Sequence, residues 1–268
     1  MTLGQIKQLH DVRHYLDRAD EVMASIGYTE HGRRHANVVS KRARSVLEAL
    51  DRPQRQCELA AIAAYLHDIG NISNRDHHAQ SGSILAHHIL SGIGMPIEEV
   101  IEIVTAIGHH HETDGAPVSD IAAALIIADK SDVHRSRVRS KAMIELDIHD
   151  RVNYAVTHSS LKVVGPREAK EMEGERETNG KVEEVAGEES AATVATVTAN
   201  PGKSNSGKSE ASKPGAQPSV TMSLTIDLSI SPVMEYFEIF LPRMILSNRA
   251  AEKLGVVYKL VINDTHLL

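Results

Sequence analysis

Histidines and aspartates recur through the first half of the chain in types and spacings that suit metal chemistry. Of the 16 histidines, 14 lie at or before His149, at the ends and on the faces of successive predicted helices. Imidazole nitrogens and carboxylate oxygens are common ligands of divalent transition metals, and histidine also transfers protons near neutral pH. This concentration therefore indicates a metal site or a proton-handling site.

The dipeptide His67-Asp68 ends the alanine-rich apolar part of the segment AAIAAYLHDIGN, residues 60–71. Alanines allow close helix packing, so the end of this helix would deliver both side chains to the centre of a bundle. Adjacent side chains point apart, which lets His67 bind one ion while the two oxygens of Asp68 reach between two ions. Asp129 follows a second apolar run, and a buried carboxylate needs a cation or hydrogen-bond donors. These segments predict a divalent transition metal held by residues from several helices.

The elements that position these residues are predicted to be helical over residues 1–150. Helical periodicity, N-cap residues and prolines divide this part into six helices joined by short polar loops, which predicts an all-α bundle. The predicted helices cover residues 12–27, 30–50 after an N-cap at Thr29, 53–68 from Pro53, 78–90, 96–111 from Pro96, and 121–138 after a cap at Ser119 or Asp120.

Residues 151–268 are predicted to form a small α+β unit of two or three antiparallel strands and one helix. Residues with β-branched side chains and an alternation of period two indicate the strands, and a long apolar segment indicates the helix. The predicted elements are strands at 151–164, 219–230 and 256–264, and a helix after Pro232 that is kinked or interrupted at Pro242. The apolar surface of this helix would let the unit pair across a homodimer.

A segment of different composition, residues 166–219, interrupts this unit. Its first part is acidic, and its second part is rich in serine, glycine, lysine and proline. Such a segment buries too little apolar surface to offset the entropy lost on ordering. We expect a disordered insertion in a hairpin loop, with the strands on either side of it as antiparallel neighbours.

Composition and charge exclude several classes of protein. A net charge of −7 argues against a general nucleic-acid binder, and the longest apolar runs are too short to span a bilayer. The single cysteine, Cys57, excludes an intrachain disulfide. The first twenty residues contain no apolar signal-peptide core. We therefore expect a soluble cytoplasmic protein that acts on a small molecule, with neither membrane nor nucleic acid as its partner.

The order His35, His67-Asp68 and Asp129 resembles the HD superfamily of metal-dependent phosphohydrolases, over residues 29–140. This resemblance implies an HD-domain helical bundle in which these four residues bind one metal ion. It gives no account of the C-terminal unit.

Further segments resemble the two-metal members of the superfamily. HAQSG and AIGHH resemble their extra histidines, which implies a second ion held by Asp68, His78 and His110, with His111 and His31 as weaker candidates. ADKSDVHR resembles the corresponding segment of bacterial HD hydrolases of diadenosine tetraphosphate. HHETDG resembles part of the signature of HD-GYP phosphodiesterases, but Ala-Pro-Val-Ser follows in place of Gly-Tyr-Pro, which argues against cyclic di-GMP as the substrate.

The implied activity is hydrolysis of a phosphoester or phosphoanhydride bond of a nucleotide by a metal-activated water. Two ions about 3.5–4 Å apart activate water and neutralise phosphoryl oxygens. One or two ions of Mn, Fe, Co, Ni or Zn would suit these ligands. Asp68, Lys130 and Asp132 are the expected catalytic residues. Lys130, beside the ligand Asp129, and Arg135 would contact a phosphate, and Asp132 would orient a water or pair with an arginine.

Two other functions stay open at the level of sequence. Iron in a two-metal HD site can activate oxygen, which would make the protein a di-iron oxygenase. A nucleotide-binding sensor could keep the metal without turnover. Dioxygen consumption would indicate the first alternative, and a tight nucleotide complex without hydrolysis would indicate the second.

Overall fold

The computed structural model describes residues 1–172 and 217–268. Residues 1–165 and 218–268 form one compact unit, and residues 166–217 form a second. The predicted boundary at residue 150 therefore lies inside the first of these units. As a division into domains it stays a prediction.

The described part of the second unit is short. Residues 166–172 are helical, whereas the sequence predicted disorder from residue 166. At the other end of the predicted insertion, Ser219 already begins a strand. The remainder of the predicted insertion, residues 173–216, lies outside the described residues.

The larger unit consists of helices followed by a four-stranded sheet, which confirms the predicted fold class. The α-helices are α1 (Leu3–Gln8), α2 (His10–Ser25), α3 (Arg33–Ala49), α4 (Gln54–Leu66), α5 (His78–Gly92), α6 (Ile97–Gly108), α7 (Asp120–Lys130), α8 (Ile148–Ala155) and α9 (Val233–Leu254). The strands are β1 (Val156–Val164), β2 (Ser219–Ile226), β3 (Val257–Ile262) and β4 (Thr265–His266).

Helices α4 and α7 lie at the centre of the bundle. Both are apolar on nearly all sides, and every residue from Ile121 to Lys130 is buried. Helices of this kind are surrounded by protein, and both α4 and α7 pack against α3 and α6. The last turns of the two central helices therefore lie inside the molecule, where polar residues need partners.

Several predicted element boundaries are wrong, in each case where a tertiary contact competes with local pattern. Thr29 does not cap α3, because Gly32 lies against Asp20, whose carboxylate accepts the His31 N–H at 2.8 Å. Helix α7 ends at Lys130 rather than at residue 138. Beyond that end the chain continues irregularly, with a short 3-10 turn at Arg135–Arg137.

The start of the predicted first strand is also wrong. Residues 148–155 form α8, and only then does the chain continue as β1. The Asp147 carboxylate accepts the backbone N–H groups of His149 and Asp150 at 2.7 and 3.2 Å. This N-cap stabilises a helix in a segment whose β-branched residues predicted a strand.

The sheet has the order β1-β2-β3-β4. Strands β1 and β2 are antiparallel, as predicted, with Val164 opposite Ser219. Strands β2 and β3 are parallel, because α9 crosses between them and returns the chain to the same end. The helix runs through Pro242 without interruption. Strands β3 and β4 form a hairpin whose turn residues, Asn263 and Asp264, both have positive φ.

Across residues 1–172 and 217–268, helices with the length and hydropathy needed for a membrane span are absent.

Candidate metal centre

Five helices bring histidine and aspartate side chains to one buried place. His35 lies in the first turn of α3, His67 and Asp68 follow α4, His78 begins α5, His110 follows α6, and Asp129 lies in the last turn of α7. All six residues are buried. The six predicted ligands therefore converge, because α4 and α7 end at the centre of the bundle.

Four of these side chains face one another across short distances. His35 Nε2 lies 3.2 Å from Asp129 Oδ1 and 3.6 Å from Asp68 Oδ2. His67 Nε2 lies 3.3 Å from Asp68 Oδ2 and 3.6 Å from Asp129 Oδ1. With metal–ligand bonds of about 2.1 Å, neighbouring ligand atoms of a tetrahedral site lie about 3.4 Å apart. These imidazole–carboxylate distances are close to that value, and the ligand atoms of His35, His67 and Asp129 all lie within 4.8 Å of one another, as one divalent ion requires.

Hydrogen bonds on the far side of the rings orient these histidines. The Nδ1 atoms of His67, His78 and His110 lie 2.8, 2.8 and 2.6 Å from backbone carbonyl oxygens three residues earlier in the chain. A carbonyl only accepts, so each Nδ1 carries a proton and Nε2 is the ring nitrogen that faces the centre.

Two of the inward-facing nitrogens are buried without a partner. Among the described residues, the Nε2 atoms of His35 and His67 have no hydrogen-bond partner. An unsatisfied polar atom in the interior costs free energy, and a bound cation would satisfy both nitrogens at once. The donor set, its spacing and these two atoms together fit a divalent metal.

A second group of possible ligands adjoins the first. Asp68 Oδ1 lies 3.5 Å from His78 Nε2, and His78 Nε2 lies 3.2 Å from His110 Nε2. His67, Asp68 and His110 also offer ligand atoms that all lie within 4.8 Å of one another. Asp68 therefore directs one oxygen toward each group, which is the arrangement expected of a carboxylate that bridges two ions.

A neighbouring amide and a guanidinium surround Asp68. Asn71 Nδ2 donates to Asp68 Oδ1 at 2.9 Å and holds the carboxylate in place. Arg75 Nη1 lies 3.9 Å from the same oxygen and 3.4 Å from His78 Nε2. The second group is thus already in contact with a positive charge of the protein.

Asp132 positions a ligand instead of facing the centre. Its carboxylate accepts from His35 Nδ1 at 2.7 Å and from Arg34 Nη1 at 2.8 Å. It therefore pairs with an arginine, one of its two predicted roles, and also fixes the His35 ring with Nε2 inward. A carboxylate behind a ligating histidine makes the imidazole a stronger ligand.

Lys130, which was expected to contact a substrate phosphate, is paired with carboxylates of the protein. Lys130 is buried, and its Nζ donates to Asp129 Oδ2 at 2.7 Å and to Glu112 Oε2 at 2.5 Å. Both of its partners are carboxylates of the protein, because a buried ammonium group requires them. Lys130 therefore orients Asp129, whose other oxygen faces His35 and His67.

The remaining predicted residues lie farther out. His31 is buried beside His35, with ring centroids 5.6 Å apart, and its Nδ1 lies 2.6 Å from the Thr29 carbonyl oxygen. The His111 ring lies 4.8 Å from that of His78 and is partly exposed. The Arg135 guanidinium stacks on Tyr154 at 5.1 Å, away from the centre, so its predicted phosphate contact is not supported.

The electrostatic field of two buried carboxylates dominates the first group. Burial by itself would lower the pKa of His67, but Asp68 and Asp129 outweigh it and raise this pKa to about 10. Burial would raise the pKa of each aspartate, yet His67 beside Asp68 and Lys130 beside Asp129 hold both values well below their usual range. The same field that binds a proton at His67 would bind a metal ion.

The histidines of the second group stay neutral. Burial lowers the pKa of His78 to about 4. Burial, followed by the nearby His67, lowers the pKa of His110 well below its ordinary value. Neutral imidazole is the form that binds metals, so both rings are ready to act as ligands at neutral pH.

A cavity of about 420 Å³ adjoins the centre. Its lining includes His31 and Glu112 from the metal side, Arg75 and Arg137, and residues of α8 and α9. Sequence reasoning did not single out Asn71, Arg75, Glu112 or Arg243. Glu112 and Asn71 lie next to motif residues, so adjacency could have indicated them, but no local signal points to Arg243.

Comparison with known proteins finds one family model that matches the part of the chain containing this site. Residues 28–134 match the family model of the HD domain. The chain is 28% identical over 134 residues to an uncharacterized protein of Methanocaldococcus jannaschii, a match that covers 42% of this chain and 52% of the relative. The chain thus spans about half the length of that relative. No solved structure matches the chain.

The matched residues include all six converging ligands, so this part of the chain is similar to HD domains. HD domains bind divalent metals and are typical of metal-dependent hydrolases.

Proposed function

We propose that this protein is a metal-dependent phosphohydrolase or phosphodiesterase that cleaves a phosphoester or phosphoanhydride bond of a nucleotide. The observation that carries the proposal is the meeting of His35 and His67 with Asp68 and Asp129. Each of the two Nε2 atoms lies 3.2–3.6 Å from one oxygen of each carboxylate, and both nitrogens are buried without a hydrogen-bond partner among the described residues. One or two ions of Mn, Fe, Co, Ni or Zn would suit these ligands.

Bound divalent ions would supply an activated water at neutral pH and neutralise charge on the phosphoryl group. The residues of the chain hold the ligands in place around that chemistry. Asp132 orients His35, Asn71 orients Asp68, and Lys130 orients Asp129. Because each orienting contact joins two buried groups, the site needs little rearrangement on binding.

The adjoining cavity supports a nucleotide-sized substrate. Its volume of about 420 Å³ lies within the range of small-molecule sites, which is roughly 300–1,000 Å³. Tyr28 and Phe240 supply aromatic surface, Arg75 and Arg243 supply positive charge, and three carboxylates also line the cavity. A ligand with a flat part and anionic groups would meet the aromatic rings and the guanidinium groups.

The test uses purified protein loaded with manganese or iron and assayed against bis(4-nitrophenyl) phosphate and a panel of nucleotides. We expect hydrolysis by the wild type and loss to near background in His67→Ala and Asp68→Ala. His88→Ala, an exposed histidine of α5, is the matched control and should retain full activity. Elemental analysis of each protein separates loss of metal from loss of chemistry.

Three outcomes would redirect the proposal. A metal-loaded wild type that hydrolyses nothing in the panel would contradict it. A tight nucleotide complex without turnover would favour the sensor alternative, and dioxygen consumption by the iron form would favour the oxygenase.

A further inference from the structure

One wall of the cavity beside the metal centre comes from outside the residues that match the HD domain. Helix α8 and its N-cap contribute Asp147, Asp150 and Asn153, and α9 contributes Ile239, Phe240 and Arg243. The matched domain ends at residue 134. The cavity is therefore completed by a part of the chain for which the family gives no role.

Arg243 is the one cationic residue that α9 contributes to this lining, among the described residues. Its side chain is 13% exposed, and its Nε lies 3.3 Å from Glu112 Oε1. The guanidinium carbon lies 5.0 Å from the centroid of the Phe240 ring, which fixes the side chain from a second direction. Arg243 is thus held in place with its guanidinium at the cavity.

The ion pair with Glu112 occupies only part of the Arg243 guanidinium. Glu112 Oε2 also accepts from Lys130 Nζ, and Lys130 pairs with Asp129 as well. A guanidinium carries five N–H donors, and the contact with Glu112 involves Nε. The N–H groups at the two Nη atoms therefore face a cavity whose lining also includes the carboxylates of Asp147 and Asp150.

Arg75 supplies a second guanidinium to the same cavity. It stacks on Tyr28 at 5.5 Å and donates from Nη1 to Asn71 Oδ1 at 3.3 Å. It also lies beside Asp68 and His78, as described above. The cavity therefore has one guanidinium next to the metal ligands and another on α9.

We propose that Arg243 binds a phosphate of the substrate other than the one attacked at the metal centre, and so sets the preference for nucleotides with more than one phosphate group. This rests on the proposed function. Arginine suits the task because its planar fork forms paired hydrogen bonds with phosphate oxygens. Arg75 lies nearer the metal centre. It would contact the phosphate groups that link the attacked phosphate to the one bound by Arg243.

The binding test uses the manganese-loaded protein and α,β-methylene-ADP, an ADP analogue that resists hydrolysis at the phosphoanhydride. Isothermal titration calorimetry should show that Arg243→Gln weakens analogue binding by about 10- to 100-fold. Arg249→Gln, an exposed arginine of the same helix, should bind as the wild type does. Adenosine, which has no phosphate, should bind both variants and the wild type alike.

Two further variants separate phosphate binding from a structural role. Arg243→Lys keeps the charge beside Glu112 and should fold, yet it should still lose several-fold in affinity because a single ammonium cannot form the paired contact. Glu112→Gln frees Arg243 from its carboxylate and should tighten analogue binding. If Arg243 served only to neutralise Glu112, Arg243→Gln would not weaken analogue binding in the Glu112→Gln protein.

A kinetic comparison distinguishes failure of this inference from failure of the proposed function. Arg243→Gln should raise KM for ADP and leave KM for bis(4-nitrophenyl) phosphate unchanged. If the wild type hydrolyses neither compound, the proposed function fails while the calorimetry still decides the inference. Equal affinity of wild type and Arg243→Gln for the analogue, or no binding by the wild type, overturns it.

Discussion

The metal centre and the cavity wall beside it are built by different means. At the centre, two buried carboxylates face imidazole nitrogens, and most of the orienting hydrogen bonds come from the same turn of chain. At the cavity, Arg243 and Glu112 meet although they are far apart in sequence. The ligand groups of the centre are thus assembled at helix ends, whereas the position of Arg243 in the cavity depends on where α9 is placed.

The largest expected effect is on Asp68, because its two oxygens face both ligand groups. Asp68→Ala should lose nearly all bound metal, whereas His110→Ala should lose only the ion of the second group. Elemental analysis of protein purified without added metal measures both. Full metal content in Asp68→Ala, or an empty His110→Ala protein, would refute a bridging role for this carboxylate.

A smaller effect is expected at Asp132, which touches His35 and not the ion. Asp132→Asn should weaken metal binding by about 10- to 100-fold, since the ligand loses its charged hydrogen-bond partner. Competition with a chromogenic chelator gives the affinity. Asp76→Asn, an exposed carboxylate before α5, is the control and should bind metal as the wild type does.

The buried histidines of the second group should make the metal-free protein less stable in mild acid. The pKa of His78 is lowered to about 4, so between pH 6.5 and pH 4 the unfolded chain binds a proton that the folded chain does not. The stability contributed by the neutral ring is present above pH 6.5 and is lost as pH falls toward 4.

Urea unfolding of the chelator-treated protein measures this effect. Between pH 7 and pH 5, the contribution of His78 to the free energy of unfolding should fall by about 2 kcal/mol. His78→Gln should lose that part of the pH dependence. An identical pH profile in both proteins would show that the ring is protonated in the folded state.

Substitutions on the outer face of α9 are expected to have the smallest effect on the metal centre and on the cavity wall. Met234, Leu241 and Ile245 are 73%, 50% and 55% exposed there, and the predicted homodimer would use them. Leu241→Glu should lower the mass measured by light scattering to that of a monomer and leave the metal content unchanged. A wild type that is already monomeric would contradict the predicted homodimer.

His67, Asp68 and Asp129 could be singled out from sequence because each one follows a run of apolar residues. His35, His78 and His110 were predicted only through the resemblance to the HD superfamily. The roles of the orienting residues were harder to predict from sequence. Lys130 could equally contact a substrate, and only the structure shows that it pairs with Glu112. The helix at residues 148–155 was not predicted, because the N-cap Asp147 outweighs the strand preference of the β-branched residues in this segment.

The sequence by itself determined the helical class, the converging histidines and aspartates, and the antiparallel pairing of β1 with β2. These follow from periodicity and from the cost of burying polar groups, which act over a few residues. Only the tertiary structure decided that β2 and β3 are parallel, that Lys130 holds Asp129, and that Arg243 reaches the cavity. Those features depend on contacts between distant segments, and no local pattern specifies which distant segment will be the partner.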